Sequence, residues 1–344
     1  MTSYRKAILY GPGDLRIEED ALDTSNLAPD EVWVQTTISA LKIGTDRGNY
    51  EGAERVPGAP DYPRGVGDSN FGVVRGVGSG VRHLAVGDPV ISGTWHQSMY
   101  IQRVAEDPCK VPDGVDPEDA VYGNLYALSA FCFHKALFRP GETVAVVGLG
   151  TLGLGAVALG PLFGARTVAL GNSDIRLRAA RAMGAHEALM SNDPALDAKL
   201  DHFSDGHGID LVILTANPWP AYRTSLEIVR RDGRVAIVSL LGRGEDSLDF
   251  NPLAMQLFYD KAVTLIAISG GDPSLYPRTN EFSGMAAGTH RHRPHVLRLM
   301  AEGVLKPSKL ITHRLHYTDM NEAYAMAFRR DKNMINVVFD WGDA

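Results

Sequence analysis

The residues whose types and spacing point most directly to chemistry are three glycines in the run Gly148-Leu149-Gly150-Thr151-Leu152-Gly153. An apolar stretch, Thr143 to Val147, precedes them, and small apolar residues follow. Strand, glycine turn and helix in that order make a cradle for phosphate. The first glycine permits the tight turn, and the second lets the backbone approach a pyrophosphate. The third lets the helix pack against the strand, and the helix N-terminus faces the phosphates. The flanking strand and helix distinguish this turn from a chance G-x-G-x-x-G. A dinucleotide site is expected here, with Thr151 and Leu152 completing the turn. No charge occurs between Thr143 and Ala165, but glycines interrupt the run and Pro161 closes it, so no membrane span is expected.

The choice of dinucleotide depends on the end of the next strand. An acid roughly 20 residues past the glycines binds the ribose 2′-hydroxyl of NAD. Here the strand Thr167 to Leu170 leads into Gly171-Asn172-Ser173, and Gly171 stands in the acid's place. Asn172, Ser173, Arg176 and Arg178 offer donors and cations for a 2′-phosphate, which predicts NADP(H). The opposing reading makes both arginines solvated helix residues and gives Asp174 the acid's role. Thr215, Ser239 and Ser269, at the ends of later strands, are expected to touch the cofactor.

Elements must position these groups. Lys6 to Tyr10, Glu31 to Ile38 and Phe71 to Val77 read as strands, separated by Gly, Pro and Asp clusters. Ala120 to Ala136 reads as a helix. Strands and helices then alternate: Thr143 to Val147, Thr167 to Leu170, Asp174 to Met183, Leu211 to Leu214, Ala221 to Arg230, Arg234 to Leu240 and Val263 to Ile268. Such alternation predicts a parallel doubly wound sheet. A helix near His295 to Glu302, the run Leu310 to Arg314, a helix over Met320 to Phe328 and a strand over Asn336 to Phe339 close the chain.

At 344 residues there is room for two domains. A net charge of -7 gives no electrostatic footprint for nucleic acid or an acidic membrane. Two cysteines, Cys109 and Cys132, make no disulfide framework, and the N-terminus lacks the apolar core of a signal peptide, so the cytoplasm is expected.

Several short blocks in order carry a resemblance over nearly the full length. They are Gly44-Thr45-Asp46, Gly72-Val73-Val74-Arg75-Gly76-Val77-Gly78, Val86-Gly87-Asp88, Arg139-Pro140-Gly141, the glycine turn, Arg231-Asp232-Gly233-Arg234-Val235 and Ile311-Thr312-His313. The chain resembles the medium-chain dehydrogenase/reductase (alcohol dehydrogenase-like) superfamily. That resemblance implies an α/β fold: a GroES-like β-rich catalytic domain (1–122 and 272–344), a Rossmann domain (123–271), and an active site in the cleft between them. It also implies a homodimer paired through the apolar last Rossmann strand.

The departures from that family bear on metal. Its zinc members carry Cys-Gly-Thr-Asp where this chain has Ile43, and Gly-His-Glu where this chain has Gly67-Asp68-Ser69. Their third ligand falls near Gly123. Catalytic zinc needs three protein ligands and an open position, and only Asp68 offers a donor at these places. A zinc-less member is therefore expected, with no metal site. Gly67-Asp68-Ser69-Asn70-Phe71-Gly72 is similar to the Gly-Tyr-Ser-Asn-x-Gly block of a zinc-less branch that includes dehydrogenases of pigment and natural-product pathways. His290-Arg291-His292-Arg293-Pro294-His295 is a rival metal tract, but its interleaved arginines disfavour a cation.

Without zinc, another group must polarise the oxygen or supply a proton. The catalytic candidates are Thr45, which matches a relaying hydroxyl; Tyr50, in a Gly-x-Tyr setting similar to some enoyl reductases; and Asp46, Asp68 and His96. Lys42 is a further group that could steady an alkoxide. The leading expectation is an NADP(H)-dependent alcohol/carbonyl oxidoreductase acting on a small-molecule substrate. A C=C reductase is the alternative, and a non-catalytic NADPH binder the third reading.

Overall fold

The computed structural model describes residues 1–54, 59–104, 107–268, 292–342 and 344. The chain divides into two units: Met1–Leu125 with Arg293–Ala344, and Tyr126–His292.

The first unit opens on the hairpin β1 (Thr2–Gly11) and β2 (Asp14–Leu22), followed by β3 (Glu31–Ala40) and α1 (Ile43–Tyr50). Then come β4 (Arg64–Gly65), β5 (Asn70–Val77), β6 (Pro89–Ser92), β7 (Met99–Arg103), β8 (Cys109–Lys110) and the short α2 (Pro117–Ala120). Along β3 the side chains alternate as a half-buried strand requires: Val32, Val34 and Thr36 face inward. Val32 and Val34 pack with Val74, Val90 and Tyr100. Gly72 allows β5 to lie close to β3, since a Cβ there would come within 2.4 Å of the Gln35 carbonyl oxygen.

After α3 (Gly123–Lys135) the second unit alternates β9 (Thr143–Val147), α4 (Thr151–Leu162), β10 (Arg166–Gly171), α5 (Asp174–Ala182), β11 (Glu187–Met190) and α6 (Leu196–Phe203). It continues with β12 (Ile209–Leu214), α7 (Trp219–Ile228), β13 (Val229–Ile237) and β14 (Thr264–Ala267). The six strands are parallel in the order β11-β10-β9-β12-β13-β14. All five residues of β9 are buried, as expected for a strand covered on both faces. The chain returns to the first unit through α8 (His292–Ala301), β15 (Ile311–His316), α9 (Met320–Phe328) and β16 (Asn336–Asp340). There β15-β16-β3-β5-β6-β8 form one sheet, with β7 on β3, and β2-β1-β4 form another.

This is the α/β architecture expected: a GroES-like β-rich unit and a Rossmann sheet. Local boundaries differ. The helix read through Arg230 stops at Ile228, because Val229 is extended and pairs with Ile209; sheet pairing there overrides helical periodicity. β13 ends at Ile237 instead of Leu240. His292 lies inside α8 and not ahead of it, whereas His290 and Arg291 fall outside the described residues. The expected domain boundary at 271/272 also falls outside them, and the second unit runs on to His292. Among the described residues no helix is long and apolar enough to cross a membrane.

Candidate active site

The glycine turn has the spatial character that its sequence predicts. Gly148 has φ +98, and a Cβ there would meet the Ala216 backbone nitrogen at 2.7 Å. A Cβ on Gly153 would lie 1.9 Å from the Gly148 carbonyl oxygen, so only glycine lets α4 start this close to β9. Gly150, the N-cap of α4, faces open space, with nothing within 4 Å of where a Cβ would sit. Bare backbone at a helix N-terminus with room before it suits a pyrophosphate. The Thr215 hydroxyl donates to the Gly148 carbonyl at 2.8 Å and fixes the turn from β12. Thr151 opens α4, and the Leu152 carbonyl accepts from the Ser129 hydroxyl at 2.8 Å.

Beyond β10, Gly171 is explained by packing: a Cβ would come within 2.7 Å of Leu149. Asn172 is exposed. Ser173 caps α5 without a side-chain capping bond, and its buried hydroxyl has no partner; the Ser239 hydroxyl, just past β13, has none either. Such orphaned donors suit a polar ligand. Arg176, expected at a 2′-phosphate, donates instead to the Leu149 carbonyl at 2.7 Å, bracing the glycine turn. Arg178 is exposed. Ser269 lies outside the described residues.

In the first unit, Lys42, Asp46 and Asp68 converge. Lys42 is the N-cap of α1, and the Asp46 Oδ2 accepts its backbone N–H at 2.9 Å. This bond from the first turn helps a glycine-bearing segment to be helical. The Lys42 Nζ donates to Asp68 Oδ2 at 2.7 Å. Burial pulls the Lys42 ammonium down, but Asp68 and Asp46 outweigh it and the net shift is upward. Asp46 is 2% exposed. Burial first, then the neighbouring Asp68, raise its carboxyl from 3.8 to about 7, against the Lys42 N–H and charge and Tyr324. Tyr324 reaches this cluster from α9. Its buried hydroxyl faces Asp46 without a hydrogen bond of good geometry, and burial and Asp46 push it well above its ordinary value. The sequence reading missed Tyr324; its signal was its place on the apolar stripe Met320, Ala323, Tyr324, Ala327.

The block around Asp68 supports the cluster. Gly67 has φ +94, and a Cβ there would strike the His96 ring at 2.5 Å. The Asn70 amide donates to the Thr94 and Trp95 carbonyls, the latter at 2.9 Å. His96, expected as an acid/base candidate, is fully buried. Its Nδ1 bonds Ser39 Oγ at 2.8 Å, and that oxygen accepts from Trp341 Nε1 at 2.8 Å. Burial lowers its pKa to about 4, so the imidazole is neutral and serves as a wall behind Gly67. Tyr50 is engaged as well. Its hydroxyl donates to Asn321 at 3.3 Å, its ring packs on Tyr324 and Phe328, and the charges acting on it are Glu322 and Arg329. Thr45 sits in the first turn of α1, partly buried.

The three places where zinc ligands were sought do not fit the metal. Ile43 has no donor atom. Asp68 is committed to an ammonium, whose charge opposes a dication. At Gly123 a Cβ would meet Ile91 at 2.6 Å. Among the described residues no group of three or more His, Cys, Asp or Glu side chains is arranged to hold a metal.

A β-rich unit and a Rossmann unit with a glycine-turn nucleotide cradle define a dehydrogenase-type fold. Residues 151–286 match the family described as zinc-binding dehydrogenase. Sorbitol dehydrogenase of Bacillus subtilis (strain 168) is 22% identical over 365 residues, covering 97% of this chain and 96% of that protein. Galactitol-1-phosphate dehydrogenase from Escherichia coli superposes with a TM-score of 0.80 at 20% identity, covering 98% of this chain and 99% of the other. A zinc-binding dehydrogenase from Sinorhizobium meliloti 1021, described as putative and bound to NADP, superposes at 0.78 with 18% identity over 99% of this chain and 100% of that one. The chain belongs to the medium-chain dehydrogenase/reductase, alcohol dehydrogenase-like, superfamily and is an oxidoreductase.

Proposed function

We propose that the protein interconverts an alcohol and a carbonyl by hydride transfer, using NADP(H) and no zinc. The observation that carries this reading is the Lys42–Asp68 ion pair, set beside Ile43 where the superfamily's zinc members have a ligand. A pair of this kind supplies positive charge and a proton without a metal. Relatives named for sorbitol and galactitol-1-phosphate support an alcohol, including a polyol, as substrate class. A nicotinamide, when bound, would supply or accept the hydride. The chain leaves room for the pyrophosphate at Gly150, braces the turn through Thr215 and Arg176, and presents the unspent hydroxyls of Ser173 and Ser239. The absence of an acid at Gly171 supports NADP(H) over NAD(H), with Ser173, Asn172 and Arg178 toward the 2′-phosphate.

The C=C reductase reading rests on Tyr50, whose hydroxyl is engaged by Asn321, and it is not adopted. The edge strand β14, paired on one side only among the described residues, supports a homodimer. Two free cysteines, one fully buried, suit a reducing compartment.

Elemental analysis of active enzyme tests the metal. Less than about a tenth of an equivalent of zinc, with activity retained after chelation, supports the reading, and stoichiometric zinc overturns it. Fluorescence titration tests the nucleotide. One charge-assisted contact contributes about 1.5–3 kcal/mol, so NADPH is expected to bind about tenfold or more tighter than NADH. Equal affinity refutes the choice.

A further inference from the structure

Lys42 carries a charge that stability alone does not explain. Its side chain is 28% exposed and that of Asp68 38%, so the pair is neither a free surface bridge nor sealed in a core. Exposed ion pairs contribute little to stability, and partly desolvated ones are costly to keep. Yet both partners rest on fixed backbone. Leu41 N–H donates to the Val337 carbonyl at 3.0 Å, and Asp46 holds the Lys42 N–H at 2.9 Å. On the other side, Gly67 lies against the His96 ring, and Ala40 N–H donates to the Ser69 carbonyl at 2.9 Å. Among the described residues the ammonium donates to Asp68 Oδ2, and an ammonium has further N–H donors, which leaves donor capacity on Nζ.

We propose that the Lys42 ammonium, oriented by Asp68, binds the substrate oxygen and exchanges its proton with it, so that a lysine stands where zinc-dependent relatives use a metal. This inference rests on the alcohol/carbonyl reading above. In the reducing direction a hydride supplied by a bound reduced nicotinamide would form the new C–H bond at the carbonyl carbon. The C=O π pair moves to oxygen, and an N–H bond of Lys42 breaks to protonate it. The neutral amine then takes a proton from water. Oxidation reverses each step. Asp68 is a positioning residue: it holds Nζ and favours the charged amine. Asp46 on α1 faces the same lysine, Tyr324 on α9 faces Asp46, and His96 stands behind Asp68 as a neutral ring. With Asp46 largely protonated below about pH 7, one carboxylate balances one ammonium.

The test compares wild type with Lys42→Met, Lys42→Arg and Asp68→Asn. The probes are a panel of aldehydes, ketones and ketoses with NADPH, and of alcohols and polyols with NADP⁺. For the fastest substrate, Lys42→Met is expected to lower kcat by about 100-fold or more, while NADPH dissociation constants stay within about twofold. Lys42→Arg is expected to recover about tenfold over the methionine variant, because it restores the charge and the donors. Measured in carbonyl reduction, where the charged amine is the donor, Asp68→Asn is expected to shift the alkaline limb of the kcat–pH profile to lower pH, which a merely structural loss would not do. An active wild type with Lys42→Met within about threefold of it overturns the proposal alone, as does an unmoved alkaline limb in Asp68→Asn. A wild type inactive on the whole panel overturns the alcohol/carbonyl reading and the proposal with it. A Lys42→Met variant that fails to fold leaves Asp68→Asn to decide, and an unmoved limb there overturns the proposal.

Discussion

Asp46→Asn separates the charge of the buried carboxyl from its shape. The amide oxygen still accepts the Lys42 N–H, so the first turn of α1 keeps its tie. Burial and Asp68 raise the wild-type carboxyl to about 7 from 3.8. A carboxyl whose folded pKa is raised binds a proton more readily folded than unfolded. Its contribution is fully present below about pH 3.8 and is lost as pH rises through about 7. Each pH unit separating the folded and unfolded values corresponds to about 1.4 kcal/mol, so the loss approaches about 4 kcal/mol by pH 8. At pH 5 it is only about 1.6 kcal/mol, because the unfolded group alone has ionised. Asparagine carries no such loss. Thermal melts of both proteins at pH 5 and pH 8 should show the variant's advantage growing by about 2–3 kcal/mol, or roughly 5–10 °C for a domain of this size. Lys42, Asp68 and Tyr324, the groups around Asp46, are present in both proteins and cancel to first order. A difference in melting temperature that is the same at both pH values, or shrinks toward pH 8, would refute a neutral buried Asp46.

His96 gives an opposite dependence. Its pKa falls to about 4 from 6.5 on folding, so its stabilisation is present above pH 6.5 and is lost as pH drops toward 4. His96→Gln should flatten that limb by about 3 kcal/mol in acid melts, and an unchanged acid limb would show the ring already charged in the fold. Gly153→Ala should destabilise the protein by about 3 kcal/mol or more in urea, since its Cβ meets a backbone oxygen at 1.9 Å. Gly150→Ala, facing open space, should leave stability within about 1 kcal/mol but weaken NADPH binding by about tenfold or more in fluorescence titration. Equal effects of the two glycine variants on stability would contradict their assignments. Tyr50→Phe removes a hydroxyl committed to Asn321 and should keep kcat within about threefold, whereas a loss of about 100-fold would return Tyr50 to the chemistry.

The nucleotide turn was legible in the sequence because its logic is local. Gly148, Gly150 and Gly153 lie within six residues of one another, and the apolar strand before them and small-residue helix after them are written in the same short span. The alternation of strands and helices announced the parallel sheet for the same reason. Where local pattern met sheet pairing, as at Val229, the long-range partner won. The Lys42–Asp46–Asp68 cluster followed the second rule. Lys42, Asp46 and Asp68 come from two neighbouring segments, and their types were visible as candidates. Their partners were not. Tyr324 reaches Asp46 from a helix near the far end of the chain, and Trp341 bonds the same Ser39 hydroxyl that holds His96. Sequence type alone made Tyr50, Arg176 and His96 look available for chemistry. Tertiary packing spent Tyr50 on Asn321, Arg176 on the Leu149 carbonyl and His96 on a buried wall. It left Lys42 with a carboxylate on one side and donors to spare, because hydrogen-bond satisfaction and burial are properties of the folded neighbourhood and not of the residue.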